Sequence, residues 1–544
     1  MTAPRPPTVI LVTLLIFGAA LRLWGIGFGL PHPMTRPDEE FIVSVALRFF
    51  SGDFNPHFFE WPSLYFYVVH LVFRAIYAIG QAAGVYPDTA AFIAAASDPT
   101  TLHLTLRLMS ATSGVLTLLV VWKLVRTVFD EATALCATAF LAFSYLHVRD
   151  SHFGVLDVPL TLLITTTIWL LVCAWRRPTA LVLWASAGFC AGLATSVKYN
   201  AAAVLVSAAV TFGLSFAAGP ADNRRRLLTA LGLFGATCAL AFFAGSPYIL
   251  LDFAAFREGL AAQVVRLTKG HGVSIDQVWL RHLTFSLWYG LGPLVLASAV
   301  AGAVLMGIRQ PRTAAVLLSF PASYLLVIGT GHTAFIRYAT PLVPFFCIAA
   351  GYAVREIVET AAVALRPRAR AAILAGAVML CLLPSLVTVV RFNRVLTQTD
   401  TRLIAADWMS RNFKNGDSFY ESGASYARPH YALPAHVLKV EALEFEPVKN
   451  AFSKPDGTPA SPDWIVISES PLRLYTRVPP ELRSIVNSGY ELAFTVSGTT
   501  RLEPEAAYDR QDAFFLPYAD FSARIRPGPQ ISIYRKTERP YFNR

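Results

Sequence analysis

The stretch "HVRDSHFGVLDVPLTLLITTTIWLLVCAWRR" (147–177) decides the fold. It opens on five ionisable side chains within eleven residues: His147, Arg149, Asp150, His152 and Asp157. It then runs apolar over 158–175 and closes on Arg176 and Arg177. A helix needs about 20 mostly apolar residues to cross a bilayer, so this is one span with an ionisable turn at one end and a basic turn at the other. The pattern recurs. Ten more apolar segments lie at 8–30, 103–127, 132–148, 180–197, 201–218, 227–246, 283–308, 313–330, 341–363 and 371–391, which makes eleven. A secretory signal peptide is the other reading of 8–30, but its apolar run is too long and acidic residues follow directly.

Composition agrees. Of 544 residues, 55% are hydrophobic and 15% charged, with a mean hydropathy of +0.49. Soluble globular proteins carry roughly 25% charged residues, and disordered chains are apolar-poor and charge-rich, so both classes are excluded. The net charge is +11. Residues 392–544 hold 19 basic and 18 acidic side chains, leaving 27 and 17 to residues 1–391, so the surplus lies among the apolar segments. No basic run with interleaved aromatics points to nucleic acid. Six cysteines, none in a C-x-x-C pair, all fall in apolar stretches and read as small core residues.

The basic clusters orient the chain, because cytoplasmic turns are enriched in Lys and Arg. With a cytoplasmic N-terminus and eleven spans, five clusters share that side: Lys123 and Arg126; Arg176 and Arg177; Arg224 to Arg226; Arg309 and Arg312; Arg366, Arg368 and Arg370. Counting 63–82 as a span would invert all five, so this segment is expected to be re-entrant or interfacial. The reading is a polytopic α-helical protein of the plasma (inner) membrane. Residues 1–394 form its membrane domain, with outer loops 31–102 and 149–157. Residues 395–544 form a soluble α/β domain on the outer face, with a helix at 401–412 and strands at "DWIVIS" (463–468), "ELAFTV" (491–496) and "ISIY" (531–534).

Chemistry is therefore expected on the outer face. The first outer loop opens with "RPDEEF" (36–41) and closes on "NPHFFEWPSLYFY" (55–67), which contains Glu60. Adjacent helical side chains point about 100° apart, so Asp38 and Glu39 cannot both face one reacting atom. One would be catalytic, and the other would orient a partner or bind a cation. The ionisable turn 147–157 is costly at a membrane boundary unless its groups pair or work. Lys198, Tyr199, Arg337 and Tyr338 sit at outer ends of other segments, and Arg107 lies inside one and needs a partner there. Carboxylates that accept a proton, beside cations that hold an anion and flanked by lipid, suit displacement of a phosphate from a lipid-linked donor. A transporter or lipid flippase is the alternative. That class predicts mid-membrane charges and an inverted repeat, whereas here the charges cluster at segment ends and no repeat is evident.

The ordered set of motifs resembles the GT-C glycosyltransferases that use polyprenyl-phosphate sugars, above all the dolichyl-phosphate-mannose protein mannosyltransferases and lipid A aminoarabinose transferases. It consists of Asp38–Glu39, Glu60 with Pro62, "LRLMSATSG" (106–114), "SHFGVLDVPLT" (151–161), "GLATSVKYN" (192–200), "SPYILLD" (246–252) and "RYATPLVPF" (337–345). The resemblance implies Asp38 as general base, Glu39 supporting it, and Asp157 completing an acidic site. Substrate contacts are expected from Arg36, Glu60, Arg107, Arg149, Asp150, His152, Lys198, Tyr199, Arg337 and Tyr338. His152 stands where many relatives have Arg, so the phosphate contact is expected to differ or to be shared with Arg149. Several relatives place a divalent cation near these carboxylates. The implied partners are a polyprenyl-phosphate-linked sugar and a lipid, polysaccharide or protein acceptor.

Overall fold

The computed structural model describes residues 6–433 and 440–537. The chain is an integral membrane protein with a second, β-containing unit. Its two compact units are Met1–Ile26, Phe41–Ala96 and Leu104–Arg391 in one, and Gly27–Glu40, Ser97–His103 and Phe392–Arg544 in the other. The second unit thus takes in a piece of the first loop that the sequence reading assigns to the membrane domain.

The membrane unit is helical because a backbone in lipid must satisfy its own hydrogen bonds. Among the described residues, eight helices are long and apolar enough to cross a bilayer, or nine if one bent pair is a single span. Three shorter apolar helices accompany them: Pro7–Leu23, Glu131–Ala142 and Leu181–Val197. Each of the eleven predicted segments has its helix in this set. Close packing comes from small residues. A Cβ on Gly192 would lie 2.2 Å from the Cys238 carbonyl oxygen, and one on Gly302 would lie 1.9 Å from that of Ala349.

The structure differs from the sequence expectation in three places and narrows it in a fourth. The segment 8–30 stays helical only to Leu23, because "WGIGFGLPHP" supplies Gly25 and Gly29 at φ 88° and 65°, where the backbone turns. The segment 132–148 stops at Ala142 and restarts as Tyr145–Asp150. The segment 283–308 is a pair, Val278–Leu291 and Pro293–Arg309, bent by 115°. Gly292, at φ 85° and directly before Pro293, is the break. Finally, 63–82 forms one unbroken helix, Leu64–Ala82, with a mean hydropathy of 1.3, the lowest of the eight. An unbroken helix is not a re-entrant hairpin.

The second unit holds a five-stranded sheet and a three-stranded one. Its strands are β1 (Ser418–Glu421), β2 (Glu441–Ala442), β3 (Glu444–Glu446), β4 (Ala451–Ser453), β5 (Pro459–Ala460), β6 (Trp464–Glu469), β7 (Tyr490–Val496) and β8 (Gln530–Lys536). The larger sheet has the order β2-β1-β6-β8-β7 and the smaller β3-β4-β5. β1 is parallel to β2 and β6, while β8 runs antiparallel to β6 and β7. Helix Thr401–Asn412 covers one face, burying Ala405 and Met409 against Phe419, Trp464, Val466, Ile531 and Ile533. The three β-like runs seen in the sequence are β6, β7 and β8.

Candidate functional site

Within the second unit, the segment Gly27–Glu40 is tied to the tail by side chains that are far apart in sequence. Arg36 Nη1 donates to Asp512 Oδ1 at 2.8 Å, with the two side chains 0% and 2% exposed. The Arg36 guanidinium also lies 5.7 Å from the Phe514 ring centre. His32 Nε2 lies 2.9 Å from the Arg428 carbonyl oxygen. Arg402, clamped on Asp400 at 2.9 and 2.7 Å, donates to the carbonyls of Met34 and Tyr426 at 3.3 and 2.6 Å.

At the end of this segment Asp38 sits at φ 76°, the left-handed region that few non-glycine residues occupy. Strain of this kind gathers at functional sites. Glu39 and Glu40 then open helix Glu39–Arg48, where the positive N-terminal end of the dipole favours carboxylates. Glu39 is fully buried. Glu40 Oε1 accepts from Tyr426 Oη at 2.8 Å, and Oε2 is buried without a partner among the described residues. Burial pushes the Glu40 carboxyl up to about 7, and the charges of Asp38 and Glu39 add to this against the Tyr426 hydrogen bond.

The membrane unit gathers the other predicted residues by itself. Asp157 begins helix Asp157–Arg176, and its Oδ1 receives Lys198 Nζ at 2.8 Å. Lys198 Nζ lies 4.2 Å from the Tyr338 ring centre, so Asp157, Lys198 and Tyr338 form one group. Arg149 Nη1 donates to Asp150 Oδ1 at 2.6 Å, and Thr340 donates to the other Asp150 oxygen. Arg337 stacks on Phe335, its guanidinium 4.7 Å from the ring centre. Tyr199 Oη donates to the Phe59 carbonyl at 3.1 Å, and Arg107 Nη1 to the Ile26 carbonyl at 3.0 Å.

Two predicted contacts are already occupied. His152 is fully buried, with its ring nitrogens 2.9 and 3.0 Å from the carbonyl oxygens of Val148 and Trp24. Burial pushes it down to about 4, so the ring is neutral and holds the turn. Glu60 is held by Arg266, whose Nη2 donates to Oε1 at 2.8 Å while Nη1 donates to Oε2.

Arg266 is a residue the sequence reading missed, and so are Asp512, Tyr426 and Thr340. A signal for Arg266 was present. The predicted outer loop 247–282 carries Arg257, Arg266, Lys269 and Arg281, against the tendency of basic residues to stay inside. Among the described residues no group of three or more His, Cys, Asp or Glu side chains is arranged to hold a metal ion.

Residues 100–249 match the family described as dolichyl-phosphate-mannose-protein mannosyltransferase. No curated protein sequence matches the chain. Among solved structures, it resembles ArnT from Cupriavidus metallidurans bound to undecaprenyl phosphate, at 13% identity and a TM-score of 0.54, covering 97% of each chain. The fold is that of the GT-C glycosyltransferases. The apo oligosaccharyltransferase of Archaeoglobus fulgidus is similar at 13% identity and a TM-score of 0.52, over 98% of this chain and 89% of that one. The same archaeon's oligosaccharyltransferase AglB, in complex with an inhibitory peptide and a dolichol-phosphate, gives 12% identity and a TM-score of 0.52 over 98% and 88%. In GT-C terms, the matched segment 100–249 contains Arg107, Arg149, Asp150, Asp157 and Lys198.

Proposed function

We propose that the chain is an inverting glycosyltransferase that moves a sugar from a polyprenyl-phosphate donor to an acceptor hydroxyl on the outer face of the plasma membrane. The observation that carries the reading is Asp38, a carboxylate held at φ 76° next to a buried Glu39. The solved relatives that bind undecaprenyl phosphate or a dolichol-phosphate support a lipid-phosphate donor.

An acceptor hydroxyl is a weak nucleophile until a base takes its proton, and Asp38 is that base. As the O–H proton passes to the carboxylate, the acceptor oxygen bonds to the anomeric carbon. The bond from that carbon to the phosphate oxygen breaks on the opposite side, and polyprenyl phosphate leaves with the electron pair. Glu39 supports the base, and Asp157 is assigned as a further carboxylate of the reaction.

Negative charge grows on the departing phosphate, so cations fixed in advance lower the barrier. Lys198, oriented by Asp157 and Tyr338, and Arg337 are assigned to the phosphate, together with Arg149, which is held by Asp150.

The test is Asp38→Asn in the purified protein with a radiolabelled polyprenyl-phosphate sugar. Turnover falls by roughly 100-fold or more, the usual share of a general base. Full retained transfer would remove Asp38 from the reaction.

A further inference from the structure

Helices Thr100–Val128 and Asp157–Arg176 end on a cavity of about 530 Å³ that the transfer reaction does not use. Four cations line it, Lys123 and Arg126 from the first helix and Arg176 and Arg177 from the second, together with Trp122 and Trp169. The Lys123 ammonium stands 5.3 Å from the centre of the Trp169 ring, and the Arg126 guanidinium 4.6 Å from that of Trp122.

The charge there is not balanced. Glu131 receives Arg126 Nε at 2.6 Å and Trp122 Nε1 at 2.8 Å. Among the described residues no carboxylate lies within ion-pair reach of Lys123, Arg176 or Arg177. Elsewhere in the membrane unit Arg309 pairs with Glu356, Arg355 with Asp130 and Arg370 with Glu359. Each helix C-terminus contributes about half a negative charge. Together with Glu131 these ends leave about two positive charges uncompensated in one concave site.

We propose that this cavity seats the phosphate of an anionic membrane lipid. Guanidinium groups fit phosphate oxygens in pairs, and the surplus matches the one or two negative charges a phosphate carries. The lipid source follows from the surroundings. The cavity lies at the ends of two apolar helices, and indole rings concentrate at the headgroup level of a bilayer, where anionic lipids meet basic residues.

The full chain, purified in neutral detergent, is offered phosphatidylglycerol, phosphatidylcholine or inorganic phosphate. Retained lipid is read by native mass spectrometry and stabilisation by the thermal midpoint. Phosphatidylglycerol is expected to be retained at least tenfold over phosphatidylcholine and to raise the midpoint. The double variant Arg176→Gln/Arg177→Gln loses that preference, Arg176→Lys/Arg177→Lys keeps most of it, and Arg225→Gln at a separate basic turn leaves it unchanged. Lys123→Gln, which removes one cation from the other helix, lowers the preference part-way. Equal retention of the two lipids overturns the proposal, as does undiminished phosphatidylglycerol retention in the glutamine variant. Stabilisation by inorganic phosphate equal to that by phosphatidylglycerol overturns the lipid source. None of these readouts depends on sugar transfer.

Discussion

Asp38 makes two demands on its position that ordinary side chains cannot meet together. The backbone at φ 76° costs most L-residues about 1–2 kcal/mol, and the proposed reaction needs a carboxylate. Asn tolerates this region almost as well as Asp, so Asp38→Asn should leave the thermal midpoint unchanged, whereas Asp38→Ala should lower stability by about 1 kcal/mol. Both should cut transfer by roughly 100-fold or more, and comparing the two separates chemistry from strain. The Lys198–Asp157 pair, 12% and 3% exposed, behaves differently. Removing one partner strands a buried charge, at about 3 kcal/mol or more, whereas an apolar pair of similar volume is often tolerated. Lys198→Met should therefore lower the unfolding midpoint, and Lys198→Met with Asp157→Leu should recover most of it. Neither variant should transfer sugar. Glu40 makes stability depend on pH. Its carboxyl is raised from 4.5 to about 7 in the fold, so the folded state holds the proton more tightly than the unfolded chain. That contribution is complete below about pH 4.5 and is lost as pH rises through about 7. Glu40→Gln has no proton to lose. It should match the wild type at pH 4.5 and melt higher at pH 8, and identical midpoints at pH 8 would refute the assignment.

At the scale of elements, the segment Gly27–Glu40 is the informative case. In sequence it reads as the start of the first outer loop, yet it packs as part of the second unit. Arg36 and Asp512 are 476 residues apart, and no periodicity or spacing links two positions across such a distance. The pair is nearly sealed from solvent, so loss of either partner should cost about 3–5 kcal/mol. Arg36→Ala and Asp512→Ala should each lower the midpoint, and their double variant should cost less than the sum. An additive cycle would mean the two do not act as a pair. Elements with a local cause were legible: β6, β7 and β8 come from short alternating or apolar runs, and helix Thr401–Asn412 from an amphipathic repeat. The spans came from apolar length alone. Their interruptions were harder to read, because apolarity continues through "WGIGFG" while the glycines turn the backbone, and through Gly292 where the helix bends. Among the site residues, Asp157 and Lys198 were both singled out, but their pairing was not, since the distance between two helix ends is set by packing. His152 shows the converse. Its residue type suggested a ligand, whereas its two carbonyl neighbours, visible only in three dimensions, occupy the ring.

For the whole molecule, the +11 charge is a statement about orientation before it is one about ligands. Lys and Arg are enriched in cytoplasmic turns, so the proposal sets these basic turns inside and the transfer reaction on the opposite face. The test needs exposed positions, which rules out Asp150 and Asp157, only 1% and 2% accessible. Asp53, in the predicted first outer loop, has a side chain 52% exposed, and Arg225 is exposed in the first turn of helix Arg224–Gly245. All six native cysteines lie in apolar helices, and replacing them with alanine or serine gives a silent background. In sealed cells, a membrane-impermeant maleimide should label Asp53→Cys without permeabilisation and Arg225→Cys only after it. Helix Leu64–Ala82 makes the experiment decisive. It follows Asp53 and precedes every basic turn, so if it crosses the membrane it moves Arg225 to the side opposite the one that eleven spans require. Labelling of both positions from outside would mean that this helix is a span, that the five basic clusters lie outside, and that the transfer reaction must be reassigned.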